Sequence, residues 1–201
     1  TDMASCEAAL KEKKPAFVLF DLKTFAEKKK SLKLTPLLEV EHASGVATRY
    51  HVVARKGTDF DALKGKTLSS PHWDKATFLG RVAFSQPLEK HVSGKKASAL
   101  RSIKHLARGK VDAILLNEQE YQGMADLDFA ADFTSILASE VLPGVPLCQV
   151  GKPSKSGKAL QGAGVSVCAK SSKACEAVEI GSLKKASAKT YKTLLSRFSS
   201  K

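Results

Sequence analysis

The segment from Arg49 to Ser70, RYHVVARKGTDFDALKGKTLSS, restricts the fold more than any other part of the chain. Its first residues alternate between polar and apolar as a strand does, and its last residues form a second apolar strand. Between the strands, Asp59 is placed to cap a short helix, and Gly65 supplies the left-handed conformation that ends such a helix. A strand, a helix and a second strand in this order predict an α/β protein.

The second strand ends at two serines, Ser69 and Ser70, directly before Pro71. Hydroxyl groups and free backbone N–H groups at a strand-to-helix junction form an anion site, and we predict that Ser69, Ser70 and His72 bind an anionic group. A competing interpretation makes Ser70 only the N-cap of the next helix, with Pro71 at its first position. Pro71 also removes one N–H donor from the site. Trp73 either stacks on a ligand or packs within the protein.

Residues 93–117 form a second recognisable unit, SGKKASALRSIKHLARGKVDAILLN. Apolar residues recur at helical spacing from Ala99 to Ala107, and Gly109 follows as a helix terminator. The run from Val111 to Leu116 is typical of a strand in a parallel sheet that is covered on both faces.

Together these segments resemble the periplasmic substrate-binding proteins of ABC transporters. Within that family they are most similar to the phosphonate/phosphate-type group. The Arg55-Lys56 pair, the DALKGK run at residues 61–66 and the Ser69-Ser70 pair match that family in order and spacing. The resemblance implies that the serines bind the anionic head of the ligand and that Asn117 faces the cleft. Lys96 falls where many members have a histidine, although with Lys95 it also reads as a solvated pair.

The N-terminal helix, strand and helix, at about residues 6–30, match the same family. The resemblance implies that Asp21 and Phe25 lie near the ligand, whereas Asp21 alone also reads as the N-cap of the following helix. Members of the family begin with a further strand and helix that have no counterpart here. Either the sequence is a piece of a longer protein, or it is a reduced variant of the fold.

The implied architecture is α/β, with two lobes that contain mixed sheets around a central cleft. We expect residues 1–53 and 134–201 to form the first lobe and residues 54–133 to form the second. The implied function is that of a solute-binding receptor for a small phosphonate- or phosphate-like anion, in the periplasm or another extracytoplasmic compartment. Its partner would be an ABC permease or a membrane sensor. The alternative is a sensor or scaffold module with the same fold and a degenerate cleft.

The chain carries a formal net charge of +13, and its lysines occur in short runs that flank many predicted helices. Only 6% of its residues are aromatic. Nucleic-acid binders more often concentrate their charge or combine it with aromatic side chains, so we expect no nucleic-acid partner. The basic surface would instead attract small anions. No apolar stretch approaches the ~20 residues that a membrane helix needs, so we expect no direct insertion into a membrane.

The four cysteines, Cys6, Cys148, Cys168 and Cys175, lack the spacing of a metal site. Their even number and the short separation of Cys168 from Cys175 predict a disulfide between those two in an oxidising compartment, whereas in a cytosolic protein all would be buried thiols. Whether Cys6 pairs with Cys148 stays open. The sequence contains no nucleophile elbow, phosphate loop or dinucleotide fingerprint, so we predict no enzyme, no cofactor and no metal.

Overall fold

The computed structural model of the protein describes residues 3–168 and 172–199. In chain order, the helices among these residues are α1 (Met3–Lys13), α2 (Leu22–Lys28), α3 (Ala76–Val82), α4 (Leu88–His91), α5 (Ala99–Ala107), α6 (Glu118–Met124), α7 (Lys155–Val167), α8 (Lys173–Ala177) and α9 (Ala188–Ser199). The strands are β1 (Phe17–Leu19), β2 (Thr35–His42), β3 (Tyr50–Arg55), β4 (Thr67–Ser70), β5 (Ser93–Lys96), β6 (Ala113–Asn117), β7 (Phe133–Ala138), β8 (Val145–Gln149) and β9 (Ile180–Lys185).

The residues divide into two compact units, each with its own sheet. The first unit comprises the chain up to Gly45 together with Pro143–Lys192, and the second comprises Val46–Leu142 together with the chain from Thr193 onward. These divisions differ from the expected ones at residues 53/54 and 133/134. The reason is that β3 and β7 pair with each other, so both strands belong to the second unit.

The sheet of the first unit has the strand order β1-β8-β2-β9, and each of these neighbours is antiparallel. Phe25 of α2 and Tyr191 of α9 meet edge to face in its core, with ring centroids 5.5 Å apart. The Tyr191 hydroxyl donates to the Gly144 carbonyl at 2.8 Å. Burial raises the pKa of this phenol, because it removes the charged form from water.

The sheet of the second unit has the order β5-β4-β6-β3-β7 and is mixed. Strands β4, β5 and β6 run parallel, whereas β3 is antiparallel to both β6 and β7. The expected strand after Gly109 is β6, and Gly109 has the left-handed φ of 65° that ends α5. One core cluster of this unit consists of apolar residues from the sheet, from α5 and α6 and from the connection before β6, namely Val53, Ile103, Leu106, Val111, Ile114, Leu116, Met124 and Phe133.

A disulfide joins Cys168, directly after α7, to Cys175 of α8, with a Cα–Cα separation of 5.8 Å. The predicted pair is therefore confirmed. Cys148 is a free thiol in the core, and burial raises its pKa to about 12. The side chain of Cys6 lies outside the described residues.

Within the described part of the chain, no helix is both long and apolar enough to cross a membrane. The same residues contain no group of three or more His, Cys, Asp or Glu side chains that could hold a metal ion.

Candidate functional site

Three parallel strands of the second unit end at the same edge of its sheet: β4 at Ser70, β5 at Lys96 and β6 at Asn117. Ser70 pairs directly with Lys96, and Tyr50 at the start of β3 lies opposite Asn117. We call the residues Ser70, Lys96 and Asn117 the strand-end edge. Open α/β sheets bind their ligands beyond the carboxyl ends of the strands. The topology therefore brings three of the predicted site residues together at a place suited to a ligand.

Ser69 and Ser70 are buried, with 1% and 0% of their surface exposed. The Ser69 hydroxyl lies 2.8 Å from the Ser102 hydroxyl of α5. The Ser70 hydroxyl donates to the Leu115 carbonyl at 2.7 Å and accepts from the His72 backbone N–H at 2.9 Å. Both hydroxyls are thus engaged within the unit. Direct contact between these serines and an anion stays a prediction, and it requires these hydrogen bonds to be exchanged.

His72 joins the strand-end edge to α6. Its Nε2 lies 2.8 Å from Oε2 of Glu120, and its ring meets Tyr50 edge to face at 5.3 Å. The same Glu120 oxygen accepts from the Asn117 backbone N–H at 2.9 Å, and Asn117 Oδ1 accepts from the Glu120 N–H at 2.8 Å. Asn117 and Glu120 thus form the capping box of α6. Sequence reasoning missed Glu120, although an Asn followed by a Glu three residues later is a recognisable helix start.

Lys96 lies at the end of β5 and extends into solvent, with its Nζ 3.2 Å from Oδ2 of Asp74. Burial raises the pKa of the Asp74 carboxyl, but the hydrogen bond and the positive charge of Lys96 outweigh it, so this pKa lies below its ordinary value. The anion that Lys96 faces in this structure is therefore a carboxylate of the protein itself. Trp73 packs against the backbone of β5, because a Cβ atom added at Gly94 would lie only 1.7 Å from its ring.

The two remaining predicted site residues belong to the first unit. Asp21 caps α2, and its Oδ1 accepts from the Thr24 N–H at 3.0 Å. Phe25 is completely buried against Tyr191. The structure thus gives Asp21 a capping role and Phe25 a packing role, and their contact with a ligand stays a prediction.

A second histidine network, which sequence reasoning missed, lies within the second unit. His51 of β3 is buried, with its Nε2 2.8 Å from Oε2 of Glu118 and its Nδ1 2.9 Å from the Ser135 hydroxyl. Its ring stacks on Tyr121 at 4.3 Å. The hydrogen bond from His51 lowers the pKa of Glu118. Serine, histidine and carboxylate in this order resemble a hydrolytic triad. Because His51 is enclosed in the sheet, however, the network serves to attach α6 to β3.

No family model matches the chain, and no curated protein sequence matches it. Solved structures do. XAC2383 from Xanthomonas citri, bound to ATP, has a TM-score of 0.72 at 13% identity, over 98% of this chain and 82% of that one. PA3383 from Pseudomonas aeruginosa, a binding protein component of an ABC phosphonate transporter, has a TM-score of 0.61 at 15% identity, over 94% of this chain and 70% of that one.

PhnD1 from Prochlorococcus marinus (MIT 9301), in complex with methylphosphonate, has a TM-score of 0.60 at 14% identity, over 98% of this chain and 82% of that one. At such identities the likeness shows the fold alone. It confirms the predicted α/β fold with two units, and with it the structural resemblance to a binding protein of a phosphonate transporter and to PhnD1.

Proposed function

We propose that this protein is a non-catalytic receptor for a small solute with a phosphonate- or phosphate-like head. The observation that carries the proposal is the strand-end edge, where three parallel strands deliver Ser70, Lys96 and Asn117 to one place. The fold neighbours add support, because methylphosphonate and ATP, the ligands named for PhnD1 and XAC2383, share a tetrahedral phosphorus with anionic oxygens.

We propose that two side chains, those of Lys96 and His72, meet the anion first. Lys96 is mostly exposed, and His72, which follows Ser70 by two residues, is partly buried. Each already faces a carboxylate, Asp74 and Glu120 respectively. A bound phosphonate would therefore compete with these carboxylates for the same donors. This competition predicts that removing Asp74 strengthens binding, whereas removing Lys96 weakens it.

The receptor would act outside the cytoplasm, which the Cys168–Cys175 disulfide supports because disulfides persist in oxidising compartments. We propose an ABC permease or a membrane sensor as its partner, which would respond to the population of the ligand-bound state.

A second candidate is a sensor or scaffold module with a degenerate ligand site. The specific observation in its favour is that the polar groups of the site are already paired within the protein. The Ser69 and Ser70 hydroxyls are buried, and carboxylates face Lys96 and His72. A module of this kind would bind no small anion.

Isothermal titration with methylphosphonate, phosphate, sulfate and ATP tests the proposal. We expect saturable binding of at least one phosphorus oxyanion, weakened about tenfold or more by Lys96→Met, because a hydrogen bond to a charged group is lost. Asp74→Asn should tighten binding. Lys110→Met is the matched control, since Lys110 is exposed and precedes β6 at the amino end of that strand.

Each other outcome has a distinct meaning. Silence of the parent protein across the panel would favour the scaffold module, and turnover of ATP would favour an enzyme. Equal effects of Lys96→Met and Lys110→Met would place the anion away from the strand-end edge.

A further inference from the structure

Three lysine-rich segments meet at one end of the sheet of the first unit. Strands β1 and β2 both begin opposite Gln149, the last residue of β8. Just beyond it, the Val150 N–H donates to the Ala16 carbonyl at 2.9 Å, and the Gly151 N–H donates to the Leu32 carbonyl at 3.2 Å. The chain before β1, the chain before β2 and the chain after β8 therefore lie side by side. We call residues 11–14, 28–33 and 152–158 the lysine end.

The lysine end holds ten lysines and a single acidic residue, Glu12. Its formal charge of +9 supplies most of the +13 of the whole chain. Eight of the ten lysines are exposed, namely Lys11, Lys13, Lys14, Lys30, Lys33, Lys152, Lys155 and Lys158. Lysines in the first turn of α7 also face the positive end of the helix dipole, and that turn has no acidic residue. An anionic partner would reduce the electrostatic repulsion among these lysines.

We propose that the lysine end attaches this protein electrostatically to an anionic lipid surface. Clusters of about 4–8 lysines or arginines are sufficient for attraction to anionic head groups. The segments contain no arginine and no aromatic residue. Protein interfaces favour arginine and aromatic side chains over lysine, and single-stranded nucleic acids need aromatic platforms. The composition of the lysine end is therefore more typical of binding to an extended surface of phosphate groups than to a protein interface of defined shape.

The oxidising compartment that the disulfide indicates also argues against a nucleic-acid partner. The Cys168–Cys175 disulfide lies in the same unit, and disulfides persist outside the cytoplasm. Nucleic acid is a cytoplasmic partner, so an oxidising compartment disfavours it. This attachment does not depend on the solute-binding proposal, because the lysine end belongs to the first unit and the strand-end edge to the second.

Sedimentation with lipid vesicles tests the proposal. We expect the protein to sediment with vesicles of phosphatidylcholine and phosphatidylglycerol in equal parts, but not with phosphatidylcholine alone. Added salt should release it, because exposed charges are screened beyond about 8 Å at physiological ionic strength. The triple variant Lys13→Glu, Lys30→Glu, Lys155→Glu should lose about tenfold or more of its affinity for the mixed vesicles.

A matched triple, Lys64→Glu, Lys104→Glu, Lys110→Glu, lowers the net charge equally at exposed positions of the second unit and should retain most of the binding. If circular dichroism shows that the glutamates of the first triple variant impair folding, the variant Lys13→Gln, Lys30→Gln, Lys155→Gln replaces it. Absence of binding to the mixed vesicles, or an equal loss in both triples, would overturn the proposal. Stronger binding to random duplex DNA than to the vesicles would overturn it too, in favour of nucleic acid.

Discussion

Among single residues, Ser70 has the clearest structural role, because its hydroxyl stabilises the strand-end edge by two hydrogen bonds. It donates to the Leu115 carbonyl of β6 and accepts from the His72 N–H in the turn after β4. The side chain therefore links two parallel strands to the turn that carries His72. A serine chosen from the sequence as a ligand contact is, in this conformation, a support for the residues around it.

We predict that Ser70→Ala lowers the free energy of unfolding of the second unit by about 1–3 kcal/mol, because the partly buried His72 N–H and the buried Leu115 carbonyl each lose a partner. Urea unfolding followed by fluorescence measures this effect, since Trp73, the single tryptophan, lies in this unit. Ser93→Ala, at an exposed position of β5, is the control and should change stability by no more than about 0.5 kcal/mol. Equal effects of the two substitutions would contradict the bonding role of Ser70.

Local features of the site could be predicted from the sequence, whereas distant pairs could not. The Asp21 cap and the left-handed Gly65 and Gly109 depend on neighbours within a few residues, and the structure contains all three. The contacts of His72 with Glu120 and of Ser70 with Leu115 join residues more than forty positions apart. No local pattern encodes such contacts, because they arise only when β4 and β6 pair.

At the scale of elements, the helix-and-strand units of the second sheet were predictable because their apolar runs are buried on both faces. The sequence patterns of strands β2 and β9 are less typical of strands. They pair at one edge of the first sheet, where charged residues alternate with apolar ones and Lys184 lies 2.5 Å from Glu41 and 3.3 Å from Glu39. Register shifts interrupt both pairings of β2, which blurs the alternation further. Such strands are specified by cross-strand partners rather than by their own composition.

The attachment of α6 to β3 predicts a loss of stability in acid. The hydrogen bond from His51 holds the pKa of Glu118 below its ordinary value of 4.5. A carboxyl whose pKa is lowered by folding stabilises the fold above its unfolded pKa, and this contribution disappears as the pH falls through the folded pKa. The second unit should therefore lose stability as the pH falls below 4.5.

Glu118→Gln should reduce this dependence on pH, measured as the urea midpoint of Trp73 fluorescence from neutral to acidic conditions. Asp126→Asn, which removes an exposed carboxylate of the same unit, is the matched control. If both variants keep the full pH dependence of the parent, the His51–Glu118 pair does not cause it.

At the scale of the whole molecule, the chain passes from the first unit to the second near residue 45 and back near residue 142. The family resemblance placed these crossings within β3 and at the start of β7. Strand pairing decides the division at these two points: β3 hydrogen-bonds to both β6 and β7 and so belongs over its whole length to the second unit.

The disulfide and the single tryptophan report on different units. The Cys168–Cys175 disulfide belongs to the first unit and Trp73 to the second, and each unit has its own sheet and core. Reduction should destabilise the first unit by up to about 3 kcal/mol, because the unfolded chain regains the freedom of a short loop. In urea, reductant should shift the transition seen by circular dichroism and leave that of Trp73 fluorescence unchanged. The double variant Cys168→Ser, Cys175→Ser should reproduce the shift and no longer respond to reductant. A fluorescence transition that moves together with the dichroism would instead show that the two units unfold as one cooperative body, with the disulfide stabilising both.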